Sequence, residues 1–356
     1  MLADRTTLTQ FLIEERRRHP DASGELNGLI LDVALACKAI SRVVAKGRTE
    51  GALESTTSAS RGAVREKDLG ALANEIFLRS CEWGGHLAGM ISEAMDLPWA
   101  IPAQYPRGRY LLVFDPLDGG SNLDVNVAVG SIFSILRARS PHDDSETADF
   151  LQPGRKQVCA GYAIYGPATM LVVTVGTGVH GFTLDPVLGE FFLTHPALRI
   201  PPSTCEFAID ASNSRFWEPA VKRYVEECLA GKSGPRGKDF HMRWIASLVA
   251  ETHRILMRGG VFLDPRDASA PERTGQPQLL HDANPVAFIV DQAQGRAITG
   301  RGSILDTEPQ SLQQRTGLIF GSQDEVERIE RYHHDHNFRE CDAPLFGLRG
   351  LFRVVA

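Results

Sequence analysis

The chain is organised around Tyr110-Leu111-Leu112-Val113-Phe114-Asp115-Pro116-Leu117-Asp118-Gly119-Gly120-Ser121-Asn122. Residues 110–114 are an apolar run with β-branched and aromatic character, which predicts a buried strand stopping at Asp115. Pro116 cannot continue a ladder, and Gly119-Gly120 supply a turn with exposed amides. Asp115 and Asp118 therefore stand at a strand end beside a glycine loop. Carboxylate oxygens suit hard divalent cations, and Mg2+ commonly combines one or two of them with substrate phosphate. A turn of successive N–H groups forms a concavity that fits a phosphate. The plainer reading is turn punctuation, because Asp-Pro and Asp-Gly are ordinary turn residues.

With 356 residues, 43% of them hydrophobic, the chain is long enough for two domains and a large core. The net charge is -6 without a basic stripe, which argues against a nucleic-acid partner. No apolar run of about 18 residues marks a membrane span, and the start carries no charged-apolar-small leader. Cys37, Cys81, Cys159, Cys205, Cys228 and Cys341 lack C-x-x-C spacing. In a chain of this length, that predicts reduced thiols in a cytoplasmic protein.

In order, residues 7–18 read as an amphipathic helix. Ser23-Gly24-Glu25-Leu26-Asn27 opens a second helix, whose apolar face carries Leu29, Ile30, Val33, Cys37, Ile40 and Val44. Such a helix start is either simply capped or holds a phosphate. Residues 48–66 are polar and read as a mobile loop, and 68–83 as a helix. A strand over 87–91 delivers Glu93 at its end. Strands follow over 170–175, 179–183 and 190–194, and 196–202 marks a domain boundary. Beyond it, helices are predicted over 218–230, 242–257 and 324–332, with strands over 259–263 and 317–320. A further helix enters at Asn284-Pro285, where proline suits the first turn. His253 lies on an apolar helix face and reads as a packed histidine. The tail with His333, His334, His336 and Cys341 reads as a polar terminus in preference to a soft-metal site.

D-P-L-D-G-x-S-N after an apolar strand resembles the metal-binding signature of the lithium-sensitive sugar and inositol phosphatases. Its continuation, Leu123-Asp124-Val125-Asn126-Val127-Ala128-Val129-Gly130-Ser131-Ile132-Phe133-Ser134-Ile135-Leu136-Arg137, is similar to the class I fructose-1,6-bisphosphatase family. The similarity runs from about Thr7 to about His333. It implies an α/β fold, the layered αβαβα sugar-phosphatase architecture with two mixed β-sheets. The expected domains are 1–199, with a regulatory AMP-like site and the metal motif, and 200–356, for substrate. The implied activity is Mg2+- or Mn2+-dependent hydrolysis of fructose 1,6-bisphosphate to fructose 6-phosphate and phosphate, in gluconeogenesis or Calvin-type metabolism, by a homotetramer.

Carried onto this chain, the resemblance implies metal ligation by Glu93, Asp115, the Leu117 carbonyl, Asp118 and Asp282. The implied catalytic residues are Glu93, Asp68 and Asp118, with Asp68 orienting the water. Substrate would meet Asp118, Gly119, Gly120, Ser121, Asp210, Arg243, Trp244 and Gln276, with Arg243 reaching a neighbouring subunit's 6-phosphate. The AMP-like site would comprise Ser23, Gly24, Glu25, Asn27, Arg109, Tyr110 and Arg137, and the 48–66 loop would close on the active site.

Several positions depart from the family pattern. A second, water-activating acid is Ala94, an Asp of the helix after the 48–66 loop is Gly70, and a loop acid is Ala63. The phosphate-binding Lys and Arg are Gln276 and Gln278. A Tyr is Asp264, an Asn is Asp210, and the metal-site Glu is the shorter Asp282. A general base contributes about 10²–10⁴ in rate, and each charge-assisted bond to phosphate about 1.5–3 kcal/mol. Two further readings therefore stand beside the enzyme: a low-activity or non-catalytic paralogue acting as a nucleotide-binding or regulatory subunit, or a phosphatase for another sugar phosphate.

Overall fold

The computed structural model describes residues 5–18, 24–46, 61–141, 143–266, 268 and 275–335, with backbone alone for 61–68. Ser23, residues 48–60 of the expected loop, His336 and Cys341 lie outside the described residues, as do the side chains of Ala63 and Asp68.

Three helices open the chain: α1 (Leu8–Arg17), α2 (Glu25–Lys46) and α3 (Arg61–Cys81). The strands that follow are β1 (Leu87–Ser92), β2 (Trp99–Ala100), β3 (Tyr110–Asp118), β4 (Val129–Arg137), β5 (Cys159–Tyr165), β6 (Thr169–Thr174), β7 (Val179–Asp185) and β8 (Glu190–Leu198), with the short α4 (Thr147–Phe150) between β4 and β5. They form one sheet in the order β2-β1-β3-β4-β5-β6-β7-β8, in which β1 and β3 are parallel and the other neighbours antiparallel. A second sheet is built from β9 (Glu206–Ile209), β10 (His241–Met242), β11 (Val261–Asp264), β12 (Arg296–Ile298) and β13 (Leu318–Gly321), in the order β10-β9-β11-β13-β12. Its helices are α5 (Pro219–Leu229), α6 (Leu248–Arg258), α7 (Asn284–Gln292) and α8 (Gln323–His334).

The period-2 alternation of strand side chains divides the core into layers. Leu112 and Phe114 of β3 face the apolar stripes of α1–α3, and Phe77 stacks on Phe114 with ring centroids 4.7 Å apart. The opposite face of the first sheet, at Ile132, Tyr162 and Val172, packs on α6 and α7, which also cover Ala208, Phe262 and Phe320 of the second sheet. The outer face of that sheet, at Phe207, Ile209 and Ile319, is covered by α5 and α8. The order is helix, sheet, helix, sheet, helix, and both sheets mix parallel with antiparallel pairs, as expected. Among the described residues no helix is long and apolar enough to cross a membrane.

Several boundaries differ from the sequence reading, among them the end of β8 at Leu198 and the three that follow. The strand at 110–114 runs on through Pro116 to Asp118, with a register shift between Asp115 and Asp118. The irregularity absorbs the proline, which has no N–H to give, while its carbonyl accepts a 2.8 Å bond from Ser131 Oγ. Helix α3 starts at Arg61, inside the expected loop, because Ala63 and the Arg, Glu and Lys around it are strong helix formers that outweigh Gly62. The helix expected over 242–257 starts only at Leu248. Ala246 takes a left-handed φ of 57°, which breaks the turn, and Ser247 caps the helix by accepting from Ala250 N.

Gly70, in the middle of α3, has nothing within 4 Å of an added Cβ among the described residues. Glycine in a helix interior costs about 0.5–1 kcal/mol relative to alanine. Gly70→Ala should therefore raise stability by about that amount in chemical denaturation; a loss would mean that the helix is packed there more closely than described.

Candidate metal and phosphate site

Parallel pairing of β1 with β3 sets the centre of the site. Ser92 lies opposite Phe114, and Glu93 N donates to Phe114 O at 3.0 Å, so Glu93, just past the end of β1, and Asp115, where the register of β3 shifts, lie side by side. Asp115 is turned inward, and its Oδ1 accepts from Leu117 N at 2.9 Å. Asp282 arrives from the second half of the chain, on a single π-turn over Leu279–Ala283. There Asp282 Oδ2 accepts from Gln278 N at 2.7 Å. Single carboxylate oxygens of Glu93, Asp115 and Asp282 lie within 4.8 Å of one another.

Burial and mutual charge raise all three carboxyls. Asp115 and Asp282 are pushed well above the usual carboxylate range, by desolvation first and by Glu93 second. Glu93 is raised by burial and by Asp118, against a hydrogen bond with Asp115 and the charge of Arg315. Three hard oxygen donors that cannot all ionise without a counter-charge fit a divalent cation.

Asp118 stands beside this group but is engaged by the start of α6. Its Oδ2 accepts from Ser247 Oγ at 2.6 Å and Val249 N at 2.9 Å, and its Oδ1 from Leu248 N at 3.2 Å. A carboxylate against a helix N-terminus is favoured by the orphan N–H groups and the dipole. Those bonds oppose the upward push of burial on its pKa. Gly119 makes the approach feasible. Its φ is 73°, and a Cβ there would lie 2.8 Å from Ser247 Cβ. Asn122 ties the same loop to the second half of the chain, donating to Ile245 O at 3.0 Å.

The resulting cavity, about 370 Å³, is lined by the acids, by Leu117, Gly119 and Gly120, and by Trp244, Ser247, Asp264, Gln276 and Arg315. Trp244 stacks on Phe262 at 6.0 Å. Ser121 is exposed, and Ala94 lies exposed at the rim of β1. Asp210 caps the 3-10 turn Ala211–Phe216, accepting from Ser212 N and Asn213 Nδ2. Arg243 is half-exposed and pairs with Glu206 at 3.5 Å. Neither Asp210 nor Arg243 lines the cavity. Gln278, expected beside substrate, is instead buried. Its Nε2 donates to Glu93 Oε1 at 3.2 Å, so it orients two of the three acids. Ser247, Leu248 and Arg315 have no local sequence signal: each reaches the site only through non-local pairing.

At the opposite end of β3 from the acids, Tyr110 and Arg137 are cross-strand partners, with the guanidinium 5.9 Å from the ring centroid. Arg109 pairs with Glu25, in the first turn of α2, at 3.5 Å. Gly24 has φ 86°, and Asn27 is committed to Leu12 O at 2.8 Å.

For the metal-free protein the sign of the pH dependence follows from the acids. Carboxyls raised in the native state bind more protons there than in the unfolded chain, so their contribution is complete below the usual carboxylate range and is lost as pH rises through the raised values. In chelator, the melting temperature should fall as pH rises above the usual carboxylate range, and Asp282→Asn should weaken that fall and raise Tm at the alkaline end. A variant with the same slope as the parent would sink this account.

The family model for the fructose-1-6-bisphosphatase N-terminal domain matches residues 6–196, and that for the C-terminal domain matches 200–334. The class 1 fructose-1,6-bisphosphatase of Hydrogenophilus thermoluteolus is 63% identical over 348 residues, covering 98% of this chain and 97% of that one. "Fructose-1,6-bisphosphatase class 1 3" of Methylibium petroleiphilum is 62% identical, covering 98% of both. The solved Leishmania major fructose-1,6-bisphosphatase, in its holo form, superposes with a TM-score of 0.82 at 34% identity, over 92% of this chain and 99% of that one. With that sequence match across nearly its whole length and that fold, the chain belongs to the class 1 fructose-1,6-bisphosphatase family.

Proposed function

We propose that this protein hydrolyses the 1-phosphate of fructose 1,6-bisphosphate, giving fructose 6-phosphate and phosphate, with Mg2+ or Mn2+ as the cation. The observation that carries the reading is the meeting of Glu93, Asp115 and Asp282 in the wall of a cavity that the Gly119-Gly120 turn also lines. Glu93, Asp115 and Asp282 would hold the cation, with the Leu117 carbonyl beside them. When bound, the cation supplies Lewis-acid polarisation of a phosphoryl oxygen and acidifies a water.

The remaining work falls to the chain's own groups. The amides of the Gly119-Gly120 turn receive the phosphate, as a concave run of N–H groups does. Asp118 is held rigid by Ser247, Leu248 and Val249, and its Oδ1 carries one of those three bonds, leaving acceptor capacity for a sugar hydroxyl or a water proton. Trp244, stacked on Phe262, walls the sugar side. Gln278 keeps Glu93 and Asp282 aimed.

One observation favours the low-activity reading. Glu93, Asp115, Asp118, Asp264 and Asp282 line the cavity with a single cation, Arg315, among the described lining residues. An acidic wall weakens a phosphate dianion's binding, and Ala94 offers no second base. For the wider protein, a homotetramer in the cytoplasm rests on the resemblance. AMP binding rests on Arg109, Tyr110 and Arg137 beside the start of α2, where the carboxylate of Glu25 would compete for Arg109.

Phosphate release from fructose 1,6-bisphosphate should depend on Mg2+ or Mn2+ and vanish in chelator; background rates with both cations would remove the enzymatic reading. Gln276→Lys, at a residue that lines the cavity, should lower KM about tenfold, the worth of one ion–phosphate bond. Ala94→Glu should act on kcat instead, as a group working mainly in the transition state does. Steady-state kinetics of the two variants separate the effects, and equal changes in KM and kcat for both would contradict the assignment.

A further inference from the structure

We propose that Arg315 is a phosphate-contacting residue: its guanidinium meets the phosphoryl group of the substrate at the acidic end of the cavity. The inference deepens the phosphatase reading above and rests on it.

Backbone pairing fixes where Arg315 sits. Residues 276–279 run antiparallel to 314–316, with Gln278 opposite Arg315, Leu279 N donating to Gln314 O at 2.7 Å and Thr316 N donating to Pro277 O at 3.0 Å. This short ladder turns the Arg315 side chain onto the edge that Gln276 and Pro277 present to the cavity, and Arg315 Nη1 donates to Gln276 O. Its charge acts on both Glu93 and Asp282, lowering each against the push of burial, so it stands at the end where the acids converge.

The opposite strand of that ladder offers no competing charge. Gln276 is an amide, and Gln278 is spent on Glu93 and Asp282. Among the described lining residues, Arg315 is the side chain that can neutralise a phosphate dianion. A guanidinium is a planar fork of five N–H donors whose geometry matches two phosphate oxygens, and it stays charged at any working pH. Placed beside an entering phosphoryl group, it offsets charge where charge develops, as arginine clamps do in phosphoryl transfer.

The competing role is a staple: Arg315 could serve only to hold Gln276 O. Three variants, Arg315→Gln, Arg315→Lys and Arg315→Ala, separate the two. Binding of inorganic phosphate in the presence of Mg2+, measured by calorimetry, should weaken about 10- to 100-fold in Arg315→Gln, the worth of one charge-assisted bond. It should weaken less in Arg315→Lys, which keeps the charge and loses the fork. kcat/KM for fructose 1,6-bisphosphate should fall in the same order, and millimolar guanidinium added to Arg315→Ala should restore part of it while leaving Tm unchanged. Phosphate affinity in Arg315→Gln within about twofold of the parent would overturn the inference. So would parallel losses of affinity and Tm in all three variants without guanidinium rescue, which would mark a staple. A parent that binds phosphate through Arg315 yet leaves fructose 1,6-bisphosphate intact would remove the activity reading and keep this one.

Discussion

Three carboxylates within 4.8 Å of one another, two of them buried and Glu93 half-buried, form the constraint around which this protein is arranged. Like charges so close in a medium of low dielectric repel by several kcal/mol, and each also loses its hydration. The fold holds them together nonetheless, because the positions are set by elements with other reasons to exist. Glu93 follows the end of β1 and Asp115 lies at the bulge of β3, two parallel strands whose side chains fill the core on both faces, and Asp282 rides on a π-turn entering a largely buried helix. Packing on both sides of the sheet holds in place what electrostatics would separate. The site is consequently a strained receptor whose relief is a cation, a proton or both.

The same site joins the two halves of the chain. Asp118 caps α6 across a sequence separation of 129 residues or more, Asn122 reaches Ile245, and Gln278 reaches Glu93. Each bond links the glycine loop or a clustered acid of the first sheet to a segment packed on the second. A displacement of one half against the other would therefore change the cavity directly. Ala246, held at φ 57° next to the α6 cap, stores backbone strain at that junction. The buried Ser131, hydrogen-bonded to both Pro116 O and Tyr165 OH, anchors the bulge from the opposite side.

Much of this was legible in the order of residues. The apolar strand, the aspartates at its end and the glycine turn are local features, and local chemistry predicts them. Helical stripes and apolar runs gave β1, β3, β6, β7 and β8 of the first sheet and β11 and β13 of the second, but not β2, β4, β5, β10 or β12, and the layers follow from where those stripes must be buried. The misread boundaries share one cause. On local grounds Pro116 read as a stop, residues 61–66 as part of a polar loop and Ser247 as helix interior, while a bulge, neighbouring helix formers and a distant carboxylate decided otherwise.

The sequence by itself determined the ligand chemistry: oxygen donors, a turn of free amides and the loss of cations at Gln276 and Gln278. Only the tertiary structure decided which of these groups meet. It set Asp118 against a helix start while Glu93, Asp115 and Asp282 converged, turned Gln278 from the substrate toward the acids, and brought Arg315 to the cavity wall. The reason is that residues far apart in the chain become neighbours through strand order and register, and these are properties of the assembled sheets rather than of any segment.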